Sequence, residues 1–141
     1  MERRLATSTA NGAVVEFGLV RRALLVQLAE GRLRHEDLCD AHHELVRAAR
    51  NLGRATGEQC PVCHDADLVE VTYVFGARLP AGGTCPATRA DLLKLERRAE
   101  PVQCYAVEVC VACSFHHLAR RWSAGGRVRK AVPSQRQKVG E

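Results

Sequence analysis

Aromatic residues are scarce in this chain: three Phe, two Tyr and one Trp among 141 residues, with a single Met. A core without large rings must be filled by Leu, Val and Ala, each of which buries less area, so a domain of this size benefits from an additional cross-link. Long apolar runs are missing as well, and nothing reaches the length of a membrane span. The charged start Met1-Glu2-Arg3-Arg4 leads into an apolar stretch interrupted by Glu16, Arg21 and Arg22, which does not read as an export signal. There is no phosphate-cradling Gly loop, no nucleophile elbow and no Ser/His/Asp arrangement. The expectation is a single cytoplasmic domain, with no membrane and no small-molecule substrate.

Cysteine, by contrast, is plentiful. Seven is an odd number, and in a reducing compartment it points to metal ligands and buried thiols rather than a disulfide framework. Cys60-Pro61-Val62-Cys63 and Cys110-Val111-Ala112-Cys113 each set two thiols across a tight turn. Two such pairs supply four soft thiolates, the donor set of a structural Zn²⁺, and iron accepts the same four. With all four positions filled by sulfur there is no open site for water or substrate, so the expected role is structural and the chain is read as not an enzyme. The formal charge of +5 falls by two, to +3, if four thiolates hold one divalent ion.

Periodicity divides the rest. Residues 1–12 form a polar lead-in, expected to be flexible. From Val14, Phe17, Leu24, Leu25 and Leu28 recur at helical spacing up to Gly31, and a second helical stretch runs from His35 to Leu52, broken near Asp40, whose carboxylate is placed to cap the next turn. Gly53 ends it. Alternation then takes over: Val69, Val71, Tyr73 and Phe75 share one strand face, with Glu70 and Thr72 on the other. A Gly/Pro-rich loop over 76–86 precedes a short helix, capped by Thr88 with Asp91 three residues on and ending near Arg98. Residues 102–109 alternate again, and 115–122 read as the returning strand of a hairpin. The expected fold is α+β: a zinc-ribbon sheet with an N-terminal helical pair and one inserted helix. Its domain covers 13–123, helical over 13–56 and ribbon over 57–123, followed by a basic flexible tail over 124–141.

Other candidate groups are weaker. Cys39 and Cys104 read as small buried hydrophobes and Cys85 as a half-exposed thiol. In the doublets His42-His43 and His116-His117, neighbours point different ways, so each offers at most one inward ring. His64 and His117 are candidates for a place beside the zinc, donating to its ligands. From Arg120 to Lys138 there are seven Lys or Arg and no acid. Arg120, Arg121, Arg127, Arg129 and Lys130 are therefore candidate phosphate contacts, and Trp122 a stacking platform for a base.

Several blocks in combination resemble a small actinobacterial domain-of-unknown-function family (5318) of zinc-ribbon proteins. They are Leu38-Cys39-Asp40-Ala41 before Leu45-Val46-Arg47-Ala48-Ala49, the turn Cys60 to Cys63, Val71-Thr72-Tyr73-Val74-Phe75-Gly76, Val107-Glu108-Val109-Cys110 with Cys113, and His117-Leu118. The likeness spans Glu16 to Trp122 and implies one domain, a cytosolic location and zinc; no activity or substrate comes with it. Where the family tends to have Trp-Asn-His-Leu, this chain has Phe115-His116-His117-Leu118, and His43 stands at a usual proline.

The function expected from these features is a non-catalytic zinc-ribbon adaptor or regulatory protein, binding RNA, DNA or a protein assembly of transcription or translation. The alternative is a redox-sensitive interaction factor using Cys39, Cys85 or Cys104 without a nucleic-acid role. Behind it stands an enzyme built on a pair such as Cys104 and His117.

Overall fold

The computed structural model describes residues 14–126. The candidate contacts Arg127, Arg129 and Lys130, the whole expected lead-in and most of the expected tail lie outside the described residues.

Strand β1 (Val15–Glu16) leads into α1 (Gly18–Ala29), α2 (His35–Leu38), α3 (His43–Leu52), β2 (Arg54–Gln59), β3 (Asp67–Gly76), α4 (Arg89–Glu96), β4 (Pro101–Val109) and β5 (His116–Gly125). The strands form one antiparallel sheet in the order β1-β5-β4-β3-β2. Each cysteine turn is the tip of a hairpin, β2 to β3 for the first and β4 to β5 for the second. The hairpins lie side by side through β3 and β4, paired without interruption from Val69↔Val109 to Gly76↔Val102. That register brings the two tips to the same end of the sheet.

Local chemistry explains most of the boundaries. Thr88 accepts from the Asp91 amide at 3.1 Å and opens α4 as its hydroxyl predicts. Gly53 closes α3, and a Cβ there would stand 2.3 Å from the Ala49 carbonyl oxygen. Several expectations fail. Asp40 does not cap α3: the His42 ring nitrogen accepts from the Glu44 amide at 3.1 Å, and Asp40 is turned toward His116. Residues 54–56, read as helical, begin β2, where Arg54 and Ala55 pair with Glu70 and Val69. Similarly Val15 and Glu16 are taken from the start of α1 by pairing with Arg121 and Arg120, and β5 runs on to Gly125, past the expected end of the domain.

Both faces of the sheet are covered. Val71 and Val109 pack under Ala49 of α3, with Val69, Tyr73 and Val107 around them. On the opposite face Val74, Val102, Cys104, Ala106, Trp122 and Ala124 pack against Leu92 of α4. A third cluster gathers at the hairpin tips, where Leu38, Val62, Leu68 and Phe115 enclose Cys60 and Cys110, and Leu24, Leu25 and Leu28 of α1 close the outside. Glu70, on the face opposite Val71 as the alternation predicts, is buried.

Candidate metal centre

The two turns are built by the same backbone device. In the first, the Cys60 amide donates to the Ala66 carbonyl at 2.8 Å and the His64 amide to the Cys60 carbonyl at 3.1 Å; in the second, the Cys110 amide donates to the Phe115 carbonyl at 2.8 Å and the Ser114 amide to the Cys110 carbonyl at 2.9 Å. Closing so tight a loop requires a left-handed residue after the second cysteine, and His64 (φ 60°) and Ser114 (φ 70°) both adopt it. The loop then turns amides toward sulfur: Val62 N lies 3.4 Å from Cys60 Sγ and Asp65 N 3.3 Å from Cys63 Sγ.

At the shared end of the sheet the four sulfurs of Cys60, Cys63, Cys110 and Cys113 lie within 4.8 Å of one another. Two sulfur pairs bridge the hairpins, Cys60 to Cys113 at 3.8 Å and Cys63 to Cys110 at 3.6 Å. A tetrahedron with metal–sulfur bonds of about 2.3 Å has edges of about 3.8 Å, so the spacing fits a tetrahedral ion. The electrostatics fit as well. Burial pushes the Cys110 and Cys113 thiols up, while the Asp65 amide holds Cys63 below its ordinary value. Four thiolates in so confined a space repel one another and need a central cation to coexist. The cluster can thus bind a metal ion, as the paired Cys-x-x-Cys spacing predicts.

A fifth thiol sits beside these four, and sequence reasoning missed it. Cys39, expected to be a buried hydrophobe, has its Sγ 3.6 Å from Cys113 Sγ and is only partly buried. Its two successors continue the contact along the second turn: His116 Nε2 meets Asp40 Oδ1 at 2.9 Å, and the Ala41 amide donates to the Ser114 carbonyl at 3.0 Å. The stretch linking α2 to α3 is therefore clipped, residue by residue, onto the second cysteine turn. No spacing rule reveals this, because the partners are separated by 74 residues in sequence.

The histidine candidates have other places. His64 is exposed and contributes backbone: its carbonyl accepts from Gln59 Nε2 at 2.9 Å. His117 is buried, and its interactions run to the Phe17 backbone, Arg21 and His116; burial, then the Arg21 charge, holds it below its ordinary 6.5. His117 belongs to a buried polar row crossing the sheet, in register through Glu70↔Glu108 and Glu108↔His117. Arg120 meets Glu70 through two nitrogens at 2.9 and 3.2 Å, Arg54 joins them at 3.2 Å, and Arg21 lies 3.4 Å from Glu108. A cavity of about 210 Å³ adjoins this row.

That row changes the reading of the basic segment. Arg120 is 6% exposed and Trp122 3%, so neither presents itself to a nucleic acid. Arg120 stacks instead over the Trp122 ring at 5.7 Å, and Trp122 Nε1 donates to Glu96 at 2.6 Å. Arg121 stays exposed. Cys104 is a buried core thiol as expected, pushed up to about 12 by burial and the Glu96 charge. It lies opposite Trp122 on β4, whereas His117 lies opposite Glu108. Four strand positions, about 13 Å, separate these places, so the structure does not form the Cys104–His117 pair. Cys85 is half-buried against Tyr73.

No helix among the described residues is long and apolar enough to cross a membrane, and no solved structure matches the chain. It is 34% identical over 111 residues to uncharacterised proteins of Mycobacterium bovis and of two Mycobacterium tuberculosis strains, covering 79% of this chain and 81% of each relative. The model of a family of unknown function, DUF5318, matches residues 9–139, and the chain belongs to that family.

Proposed function

We propose that the paired hairpins form a zinc ribbon holding one structural Zn²⁺, and that the protein is a non-catalytic adaptor for a larger protein assembly, of the kind found in transcription or translation. The observation that carries this reading is the four-sulfur cluster at the hairpin tips. Zinc held by four thiolates supplies a closed cross-link with no open coordination position, so the chemistry of the site is to hold two hairpins together. Cys60 and Cys110 are fully buried ligands, and Cys63 and Cys113 are the half-exposed ones.

A binding role draws support from α1, which buries no residue completely and leaves Leu19 76% exposed, Val20 51% and Val26 46%. Apolar side chains gathered on one helix mark a surface for another protein. The burial of Arg120 and Trp122 favours a protein partner over RNA or DNA.

The test has two parts. Elemental analysis of the purified chain should find one zinc per chain, lost in Cys60→Ser and Cys110→Ser together with cooperative melting. Affinity capture from native lysate with the full chain, with and without nuclease, should then recover a defined assembly whose yield falls in Leu19→Glu and Val26→Glu. Capture of no polymerase, ribosomal or nucleic-acid component would end the adaptor reading, and absence of metal would end the ribbon reading.

A further inference from the structure

We propose that Cys39 and Cys113 form a peroxide-modification site, in which Cys39 resolves oxidation of the metal ligand Cys113 as a reversible disulfide. The inference rests on the zinc-ribbon reading for its consequence, metal release, but not for its geometry.

Of the four cluster thiols, Cys60 and Cys110 are buried, and only Cys63 and Cys113 are reachable by a small oxidant. Cys63 has a fellow cluster thiol as its near sulfur neighbour, Cys110 at 3.6 Å. Cys113 differs in having, also at 3.6 Å, a thiol outside the group of four. Cys39 is itself half-exposed and is held in place by the residues that follow it, Asp40 on His116 and Ala41 on Ser114. A disulfide needs the sulfurs at about 2.05 Å, so they must close by roughly 1.5 Å, a movement that side-chain rotation and a small loop shift supply.

The steps balance with a hydroperoxide as oxidant. The Cys113 sulfur attacks the distal peroxide oxygen, an S–O bond forms as the O–O bond breaks, and hydrogen peroxide leaves hydroxide, which takes up a proton as water. Sulfur has given up two electrons and Cys113 is a sulfenic acid. The Cys39 sulfur then attacks Cys113 Sγ; the S–S bond forms, the S–O bond breaks, and the departing hydroxide carries off the Cys39 proton as a second water. Left with three of its four thiolates, the cluster loses its hold on the metal, and the clip joining the helices to the second turn becomes covalent. A thiol reductant reverses the disulfide and restores the ligand.

Hydrogen peroxide treatment of the purified, metal-loaded full chain tests this, with released metal read by a colorimetric chelator and disulfides mapped by mass spectrometry of an unreduced digest. The expected wild-type result is a Cys39–Cys113 cross-linked peptide as the main disulfide, appearing at the rate at which metal is released, with dithiothreitol and zinc restoring both. In Cys39→Ser or Cys39→Ala, Cys113 should run on to sulfinic acid and recovery by dithiothreitol should be lost. Disulfides chiefly among Cys60, Cys63, Cys110 and Cys113 in the wild type would overturn the proposal, as would full recovery in the Cys39 variants. Should the chain purify without metal, the ribbon reading fails alone, and the wild-type disulfide map still decides the Cys39–Cys113 pairing.

Discussion

The first and second cysteine turns share a backbone, a left-handed residue after the second cysteine and a place at a hairpin tip, yet their surroundings differ. The first turn faces outward: His64 and Asp65 lie on its exposed side, and Gln59 closes it from its own hairpin. The second is covered by the stretch from Cys39 to Ala41, which brings the fifth thiol and ties the helices to the sheet. The strands that leave the two turns then exchange a charge, Glu70 on β3 meeting Arg120 on β5 inside the protein. Similar local sequences thus build similar turns, and the difference between them comes from which distant segment settles on each.

Removing one cluster thiol from either turn should have the largest effect and should erase the comparison. On the zinc-ribbon proposal, Cys60→Ser and Cys110→Ser should lose the metal and cooperative melting equally, because a structural tetrathiolate tolerates no missing ligand. A melt retained in one variant only would show that the turns are not equivalent in the fold.

Next in size is the charge exchanged between β3 and β5. Glu70→Ala leaves Arg120 buried without its carboxylate partner and should cost about 3–5 kcal/mol by denaturant unfolding. Glu70 and Arg120 are both almost fully buried, so the effect should persist in high salt. The clip on the second turn should be weaker: Asp40 and His116 are both partly solvent-exposed, and Asp40→Asn should cost less than about 1 kcal/mol and lose its effect as salt rises. A larger cost would mean that the clip, rather than the turn, holds the helices.

His117 supplies a pH test of the second hairpin. Its folded pKa is depressed below the ordinary 6.5, so the unfolded chain takes up a proton first as pH falls. Stability should therefore decline on moving below about pH 6.5 and recover above it, with the decline ending once the folded form also binds the proton. His117→Gln should flatten that slope relative to wild type in parallel melts. Smallest of all, His64→Gly and Ser114→Gly should each change stability by less than about 1 kcal/mol, since relief at positive φ is offset by greater freedom in the unfolded chain. Equal responses would confirm the backbone equivalence of the turns.

Much of this was legible in the chain before folding. The four cluster cysteines, the Thr88-capped helix, the alternation of β3 and β4 and the Gly53 stop all follow from local chemistry: two thiols across a turn, a hydroxyl before a helix, period-two packing, a residue without a side chain beneath a carbonyl. What was misread involves partners far apart in sequence. Alternation sets Glu70 on the face opposite Val71, as found, but it cannot register that Arg120 arrives on that same face and that both are buried there. Arg120 and Trp122 read as nucleic-acid contacts because charge in sequence carries no information about which way a strand turns its side chains.

The kinds of element and the four thiols of the cluster are thus written in local sequence, because helix, strand, cap and cysteine turn are decided within a few residues. It takes the folded arrangement to set Cys39 beside the four-sulfur cluster, to turn Asp40 to His116 rather than to a helix end, and to point Arg120 and Trp122 inward. Those outcomes depend on the register of paired hairpins and on a segment docked from far along the chain, where burial and charge are set by neighbours that local pattern cannot name.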